Sequence, residues 1–167
     1  MMTKIIYIAV LSVLLSCSSP TDNNTTDSFA IYLLQDSSLS AWATESTPIT
    51  DLILAQEAFI TEDDLKSYTW VTHTFELIDD KDLAFKEFIL SKGNVRGVPF
   101  VVLVGSERIY YGTFWWPYSS VVPPHCARIM TLITESTYTI SLADGATDKR
   151  SNPKIYNALK RAGVLIE

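Results

Sequence analysis

Cysteine, histidine and runs of basic residues are scarce in this chain. Its 167 residues include two cysteines and two histidines, and 13 Lys and Arg residues stand against 19 Asp and Glu residues. Because no Lys/Arg-rich run can neutralise phosphates, nucleic acid is excluded as a partner. The cysteines and histidines also lack the C-x-x-C or H-x-x-x-H spacing of a metal site, so the sequence predicts no metal and no cofactor.

The first residues form a short apolar segment. Lys4 supplies a positive charge, and residues 5–15 are apolar, a run too short to span a bilayer but typical of a secretory signal. Leu14-Leu15-Ser16-Cys17 closes this run. These four residues resemble the bacterial lipobox, which implies that the Cys17 thiol is diacylated before cleavage.

That resemblance divides the chain into three parts. Residues 1–16 are expected to be a lipoprotein signal peptide. Residues 17–28 comprise the lipidated Cys17 and a polar, flexible tether, and residues 29–167 a single globular α+β domain. The expected partner is then a membrane, to which the lipid anchors the protein. Ser18 after Cys17 resembles the outer-membrane sorting signal of enteric lipoproteins, which implies the periplasm-facing outer membrane of a bacterial envelope. The alternative is a buried free Cys17 behind an ordinary signal peptide.

Lipid on Cys17 would leave Cys126 without a disulfide partner. Cys126 is then either a nucleophile activated by His125 or a small buried hydrophobe. Neighbouring side chains on a strand point to opposite faces, and no carboxylate lies nearby in the sequence to orient His125. Both points favour the buried hydrophobe.

Apolar periodicity predicts the elements of the domain. Thr61, with Asp64 three residues later, indicates the start of a brief helix. His73 is expected on the apolar face of a strand, as a core histidine. Asn152 and Pro153 indicate the N-terminus of a C-terminal helix that Gly163 ends. The predicted strands are 29–34, 52–55, 69–77, 98–104, 108–114, 128–134 and 137–142, and a further helix is predicted at 79–91.

Two resemblances add to this pattern. Residues 53–68, 73–77, 83–89 and 98–114 follow the element order of the extracytoplasmic head region of SecD, a subunit of the protein-export machinery. The likeness does not extend to SecD's transmembrane helices, so it implies no export activity. Residues 97–115 and 155–163 resemble small bacterial lipoproteins. Together they imply an α+β fold, with a mostly antiparallel sheet around a central hairpin and two or three helices packed on it, including the C-terminal one.

Aromatic rings are concentrated in residues 110–118, YYGTFWWPY. Strand alternation sends one set of these rings into the core. The remaining rings are either covered by a second layer, such as the C-terminal helix, or exposed as an interaction surface. In the exposed case Trp115, Trp116 and Tyr118 would be the binding anchors for a protein, peptide or glycan.

Three functions follow from these patterns. The favoured hypothesis is a membrane-anchored, non-catalytic binding or interaction module, because the sequence carries an anchor and excess aromatics but no convincing catalytic set. The second is an envelope hydrolase or other enzyme, for which Glu57, Asp63, Asp64 and His73 would have to converge in space. The third is a purely structural envelope protein whose aromatic residues all belong to the core.

Overall fold

The fold comes from a computed structural model that describes residues 27–92 and 94–167. The expected signal peptide, Cys17 and residues 18–26 of the tether lie outside these residues. The elements are β1 Phe29–Leu33, α1 Ala41–Glu45, β2 Ile60–Thr61, a 3₁₀ turn Glu62–Asp64, β3 Leu65–Thr69, β4 Thr74–Leu77, α2 Asp79–Lys92, β5 Val98–Val104, β6 Glu107–Trp115, β7 Ala127–Met130, β8 Thr137–Leu142, α3 Pro153–Arg161 and β9 Leu165–Ile166.

All nine strands join one curled sheet in the order β2-β1-β5-β6-β7-β8-β4-β3-β9. The hairpin of β5 and β6 near its middle is as the sequence predicts. Strand β8 connects the two halves, because its first residues pair with β4 and its last residues pair with β7. The α+β class and the C-terminal helix are confirmed.

The expectation of a mostly antiparallel sheet is wrong, because the sheet is mixed. Strand β7 runs parallel to β6, and β9 runs parallel to β3. Two parallel neighbouring strands need a long connection, because the chain must return to the end of the sheet where the first strand began. Residues 116–126 make that connection between β6 and β7. Strand β9 reaches β3 only after helix α3, which follows β8 in the chain.

The main core lies on the face of the sheet that α2 and α3 cover. Phe85 and Ile89 of α2 and Ile155 and Leu159 of α3 are buried there. A second apolar cluster, Leu34, Leu52, Val101 and Leu103, lies on the opposite face. Strand β5 is therefore buried on both faces, as its unbroken apolar run predicts. None of the helices in the described residues is long and apolar enough to span a membrane.

Two predicted strands, residues 52–55 and 69–77, are wrong. Residues 52–55 form no strand and contribute only an isolated bridge between Leu54 and Leu34. The second prediction merges two strands into one. Strand β3 ends at Thr69, the chain turns, and β4 begins at Thr74. His73 has a φ of 52°, in the left-handed region, which ends the extended run. Val71, placed on the apolar face by the alternation, is 79% exposed, whereas His73 is buried as expected.

Helix starts agree better with the sequence. Thr61 and Asp64 form the predicted capping box, although only a 3₁₀ turn follows it. Helix α3 begins as predicted, with the Asn152 side chain accepting a hydrogen bond from the Lys154 N–H and with Pro153 at the first position.

Candidate functional site

A cleft of about 270 Å³ opens beside strand β6. Tyr110 and Tyr111 both line it, although neighbouring side chains of a strand point to opposite faces. The cleft therefore lies at an edge of β6 and not on one face of the sheet. Its other lining residues are Thr47, Ile49, His125, Cys126, Ala127, Leu142, Thr147, Lys149 and Arg150.

The edge exists because β7 is shorter than β6. Strand β7 begins at Ala127 opposite Gly112, so the half of β6 that precedes Gly112 has only β5 beside it. The Thr131 N–H donates to the Trp115 carbonyl at 3.1 Å, which shows that the backbone groups of Trp115 face β7. Because these directions alternate along a strand, the Tyr111 N–H faces the same side and points toward the cleft.

Cys126 lies in the wall of the cleft. It is buried, 4% exposed, as the sequence predicts for a lone apolar thiol. Burial raises the pKa of the Cys126 thiol to about 12, and the nearby Glu45 carboxylate adds to that rise. The sulfur is therefore a protonated thiol at neutral pH, which is a poor nucleophile.

His125 has a carboxylate partner that the sequence does not reveal. Glu45, in α1, accepts a hydrogen bond from the His125 backbone N–H at 2.9 Å, and the same oxygen lies 3.0 Å from His125 Nδ1. The prediction that no carboxylate orients His125 is therefore wrong, because folding brings α1 against this segment. The His125 side chain is mostly exposed.

The loop before α3 supplies the positive side of the cleft. Arg150 donates two hydrogen bonds to the Asp148 carboxylate, at 3.0 and 2.8 Å, and holds the pKa of Asp148 at about 2. A third Arg150 nitrogen donates to the Ile140 carbonyl. Lys149 is exposed and makes no ion pair or side-chain hydrogen bond with any described residue. Lys149 is therefore the cation that can respond most directly to a ligand.

Tyr110 brings a hydroxyl to the cleft. The residue is 7% exposed, and burial raises the pKa of its phenol well above the ordinary value, so the hydroxyl stays protonated. Among residues 27–92 and 94–167 that hydroxyl has no hydrogen-bond partner. It is not fully enclosed either, because every fully enclosed polar side-chain atom of these residues has a hydrogen bond. Its free hydrogen-bonding capacity is consequently directed to the cleft.

His73 lies in a separate cluster. The Tyr68 hydroxyl is 3.1 Å from His73 Nδ1, and Ser151 Oγ is 3.4 Å from Nε2. Burial lowers the pKa of His73, and the positive charge of Arg150 acts in the same direction. The imidazole is therefore neutral at pH 7, with both ring nitrogens engaged.

The carboxylates that the enzyme hypothesis would require beside His73 lie elsewhere. Asp64 accepts hydrogen bonds from the Thr61 N–H and hydroxyl. Neither Glu57 nor Asp63 forms a hydrogen bond or an ion pair with His73 in the described part of the chain. This part also holds no group of three His, Cys, Asp or Glu side chains that could bind a metal ion.

The three predicted anchors differ in exposure. Trp115 is buried, and Trp116 is partly buried against the main core. Tyr118 is 78% exposed, with its ring centroid 6.1 Å from that of Trp116. Of the three, only Tyr118 is mostly exposed. That these residues bind a partner stays a prediction.

Fold and cleft define an α+β protein with a curled mixed sheet that is open at one internal strand edge. No family model, no curated protein and no solved structure matches the chain. The resemblances to the SecD head region and to small bacterial lipoproteins therefore stay predictions. The cleft itself was not anticipated, because Thr47, Ile49, Lys149 and Arg150 carry no motif and meet Tyr111 only through long-range folding.

Proposed function

We propose that the chain is a lipid-anchored bacterial envelope protein that binds a ligand in the cleft beside β6. The lipobox-like residues around Cys17 support the anchor, since two or three acyl chains suffice to hold a protein on a bilayer. The observation that carries the binding function is the cleft. Its walls combine apolar side chains with the Lys149 ammonium and with the Tyr110 hydroxyl, which bonds to no described residue. Concave sites of this mixed character are typical of ligand binding.

The side chains of the cleft support binding over catalysis. The Cys126 thiol is protonated, and His73, the buried base, is not among the residues that line the cleft. His125 does line it, but its Nδ1 contacts the Glu45 carboxylate, and no hydrogen bond among the described residues joins it to the Cys126 thiol. The lining therefore offers donors and apolar surface but no nucleophile hydrogen-bonded to a base.

Site-specific photo-cross-linking in the bacterium tests this function. A benzophenone amino acid at Thr47, in the cleft, should give a defined cross-linked product, identified by mass spectrometry of the adduct. The matched control at Lys66, an exposed residue of β3, should give none. Radioactive palmitate supplied to the bacterium should label the protein, and Cys17→Ser should carry no label. Absence of a Thr47-specific product would remove the binding function, and an unlabelled protein, or equal labelling of Cys17→Ser, would remove the lipid anchor.

The contact between Ser151 and His73 supports a second candidate, a serine hydrolase. A neutral imidazole whose Nε2 faces an exposed serine, and whose Nδ1 is held by the Tyr68 hydroxyl, has the arrangement of a base, a nucleophile and an orienting group. A fluorophosphonate probe should then label Ser151, and His73→Gln should abolish the labelling. An unlabelled Ser151 would leave the Tyr68–His73–Ser151 chain as a purely structural contact.

A further inference from the structure

We propose that the ligand of the cleft is the C-terminal residue of a peptide, with its carboxylate bound by Lys149, Arg150 and the Tyr110 hydroxyl. This inference rests on the proposed binding function and names the chemistry of its ligand. Three observations lead to it: a set of donors on one side of the cleft, an open backbone N–H on β6, and apolar surface between them.

The donors favour an anion. Lys149 has no partner in the described residues, and the protonated Tyr110 hydroxyl has none either. Arg150 uses three nitrogens on Asp148 and the Ile140 carbonyl, which leaves one N–H on each terminal nitrogen for a ligand. Asp148 offsets one of the two positive charges, so the pair of cations matches a single carboxylate better than a doubly charged phosphate.

Charge also sets the direction of the ligand. The Glu45 carboxylate lies beside His125, at another part of the cleft lining, and would repel a ligand carboxylate there. The anion is therefore placed at the Lys149 and Arg150 loop. The remainder of the ligand then extends along the edge of β6.

The backbone of β6 favours an amide next to that carboxylate. The Tyr111 N–H points toward the cleft and has no partner among the described residues, because β7 begins one residue further along β6. Such a donor on a strand edge is a site for the carbonyl of an extended chain. A C-terminal residue supplies a carboxylate and, one peptide unit away, such a carbonyl.

Apolar residues and size complete the match. Ile49, Leu142 and Ala127 line the cleft and can cover an aliphatic side chain. The volume of about 270 Å³ lies just below the usual range for ligand sites, about 300–1,000 Å³. A chain end therefore fits better than a peptide that passes through the cleft.

Small model compounds test each part. N-acetyl-L-leucine carries the carboxylate, the aliphatic side chain and the amide carbonyl, whereas N-acetyl-L-leucinamide lacks the charge and 4-methylpentanoate lacks the amide. Titrations of the full chain followed by NMR should give binding of N-acetyl-L-leucine with a shift of the Tyr111 amide resonance. The amide analogue should bind about tenfold more weakly, and 4-methylpentanoate should bind more weakly without shifting the Tyr111 amide proton.

Two variants locate the charge recognition. Tyr110→Phe removes a hydroxyl that bonds to no described residue, so it should weaken binding of N-acetyl-L-leucine without loss of stability. Lys149→Gln should weaken the same binding about tenfold. The matched control is Lys92→Gln, at the exposed end of α2, which should leave the affinity unchanged.

Each contrary result has its own meaning. Equal affinity for the acid and its amide, or no effect of Tyr110→Phe and Lys149→Gln, overturns carboxylate recognition. Equal affinity for 4-methylpentanoate overturns the peptide source, since a simple organic acid would then suffice. Failure of all three compounds to bind, with a Thr47 cross-link still present, overturns this inference but leaves the proposed function intact. If the Thr47 cross-link is absent too, both fall.

Discussion

Both ring nitrogens of His73 are engaged inside the protein, one by the Tyr68 hydroxyl and the other by Ser151 Oγ. The backbone carbonyl of His73 also accepts a hydrogen bond from the Ile140 N–H at 2.9 Å. These contacts join the β3–β4 turn to β8 and to the loop before α3. They also explain how a non-glycine residue keeps a left-handed backbone, because the contacts around it fix both its backbone and its ring.

His73 should make the stability of the protein depend on pH. Its folded-state pKa is lowered by burial, whereas in the unfolded chain it titrates near the ordinary value of about 6.5. Below that pH the unfolded chain binds more protons than the folded one. Stability is therefore complete above about pH 6.5 and is lost as the pH falls toward the folded-state pKa. Urea unfolding at a series of pH values measures this slope.

His73→Gln should flatten the profile in that pH range, at the cost of a lower stability at pH 7. His125→Gln is the matched control, because the His125 side chain is mostly exposed, and it should keep the slope that His73 causes. Asp148, whose pKa is held at about 2, acts at lower pH, where loss of its charge removes a further part of the stability. An unchanged slope in His73→Gln would contradict this assignment.

Single residues differ in how far the sequence predicts their environment. The burial of Cys126 and His73 could be predicted, because residue type and apolar neighbours are visible in the local sequence. The contact of His125 with Glu45 could not be predicted, because 80 positions separate the two residues. The cleft donors were missed for the same reason: no local pattern relates Tyr110 to Lys149.

At the element scale, β6 is packed tightly against both neighbouring strands at Gly112. A Cβ built on Gly112 would lie 2.5 Å from Phe100 Cζ and 2.7 Å from the Ala127 carbonyl oxygen. The carbonyl belongs to the backbone of β7 and cannot turn aside. Gly112→Ala should therefore destabilise the protein by about 1–3 kcal/mol through overpacking, as measured by urea unfolding.

Gly163, after α3, provides the control for that substitution. Its φ is +75°, but nothing lies within 4 Å of a Cβ built there. Gly163→Ala should therefore cost only the backbone strain of a left-handed alanine, about 1 kcal/mol. A smaller loss for Gly112→Ala than for Gly163→Ala would contradict the close packing of β5, β6 and β7.

Elements with strong local sequence signals form where the sequence predicts them, whereas elements without such signals do not. Helix α3 carries an N-cap, a proline at its first position and an apolar stripe, and it forms where predicted. The β5–β6 hairpin likewise follows from two apolar runs around Gly105, which has a φ of +59°. The β3–β4 turn has no glycine, proline or asparagine, so alternation alone extended one strand through it.

The whole molecule depends on pairings that local patterns do not contain. Parallel pairing of β6 with β7 leaves the first half of β6 open and thereby creates the cleft. The sequence contains the strands but not the order in which they meet, since each strand can pair on either side. The same is true of β9, whose two residues reach β3 only because α3 packs against the main core.

Ser28 and the Tyr118 loop, residues 116–126, lie at opposite ends of the β5–β6 hairpin. The Ser28 carbonyl accepts from the Gly105 N–H at 2.9 Å, at the hairpin turn. Residues 116–126 leave β6 at the other end, where Val98 pairs with Phe114. The seven residues of β5 separate these ends by about 23 Å. A lipid on Cys17 should consequently place the turn nearer the bilayer than Tyr118.

Energy transfer to a dye in the bilayer measures that arrangement. On vesicles carrying the lipidated chain, a fluorophore on Ser106→Cys, in the hairpin turn, should transfer more efficiently than one on Ser120→Cys, in the Tyr118 loop. Cys126 should not compete for the label, because it is buried and protonated. Equal transfer from the two sites would mean that the domain has no preferred orientation on the bilayer. Residues 17–26, which can span at most roughly 35 Å, would then be long enough for the domain to turn freely. The exposed residues Tyr118, Val121 and Val122 would in that case contact the bilayer as often as the surrounding solvent.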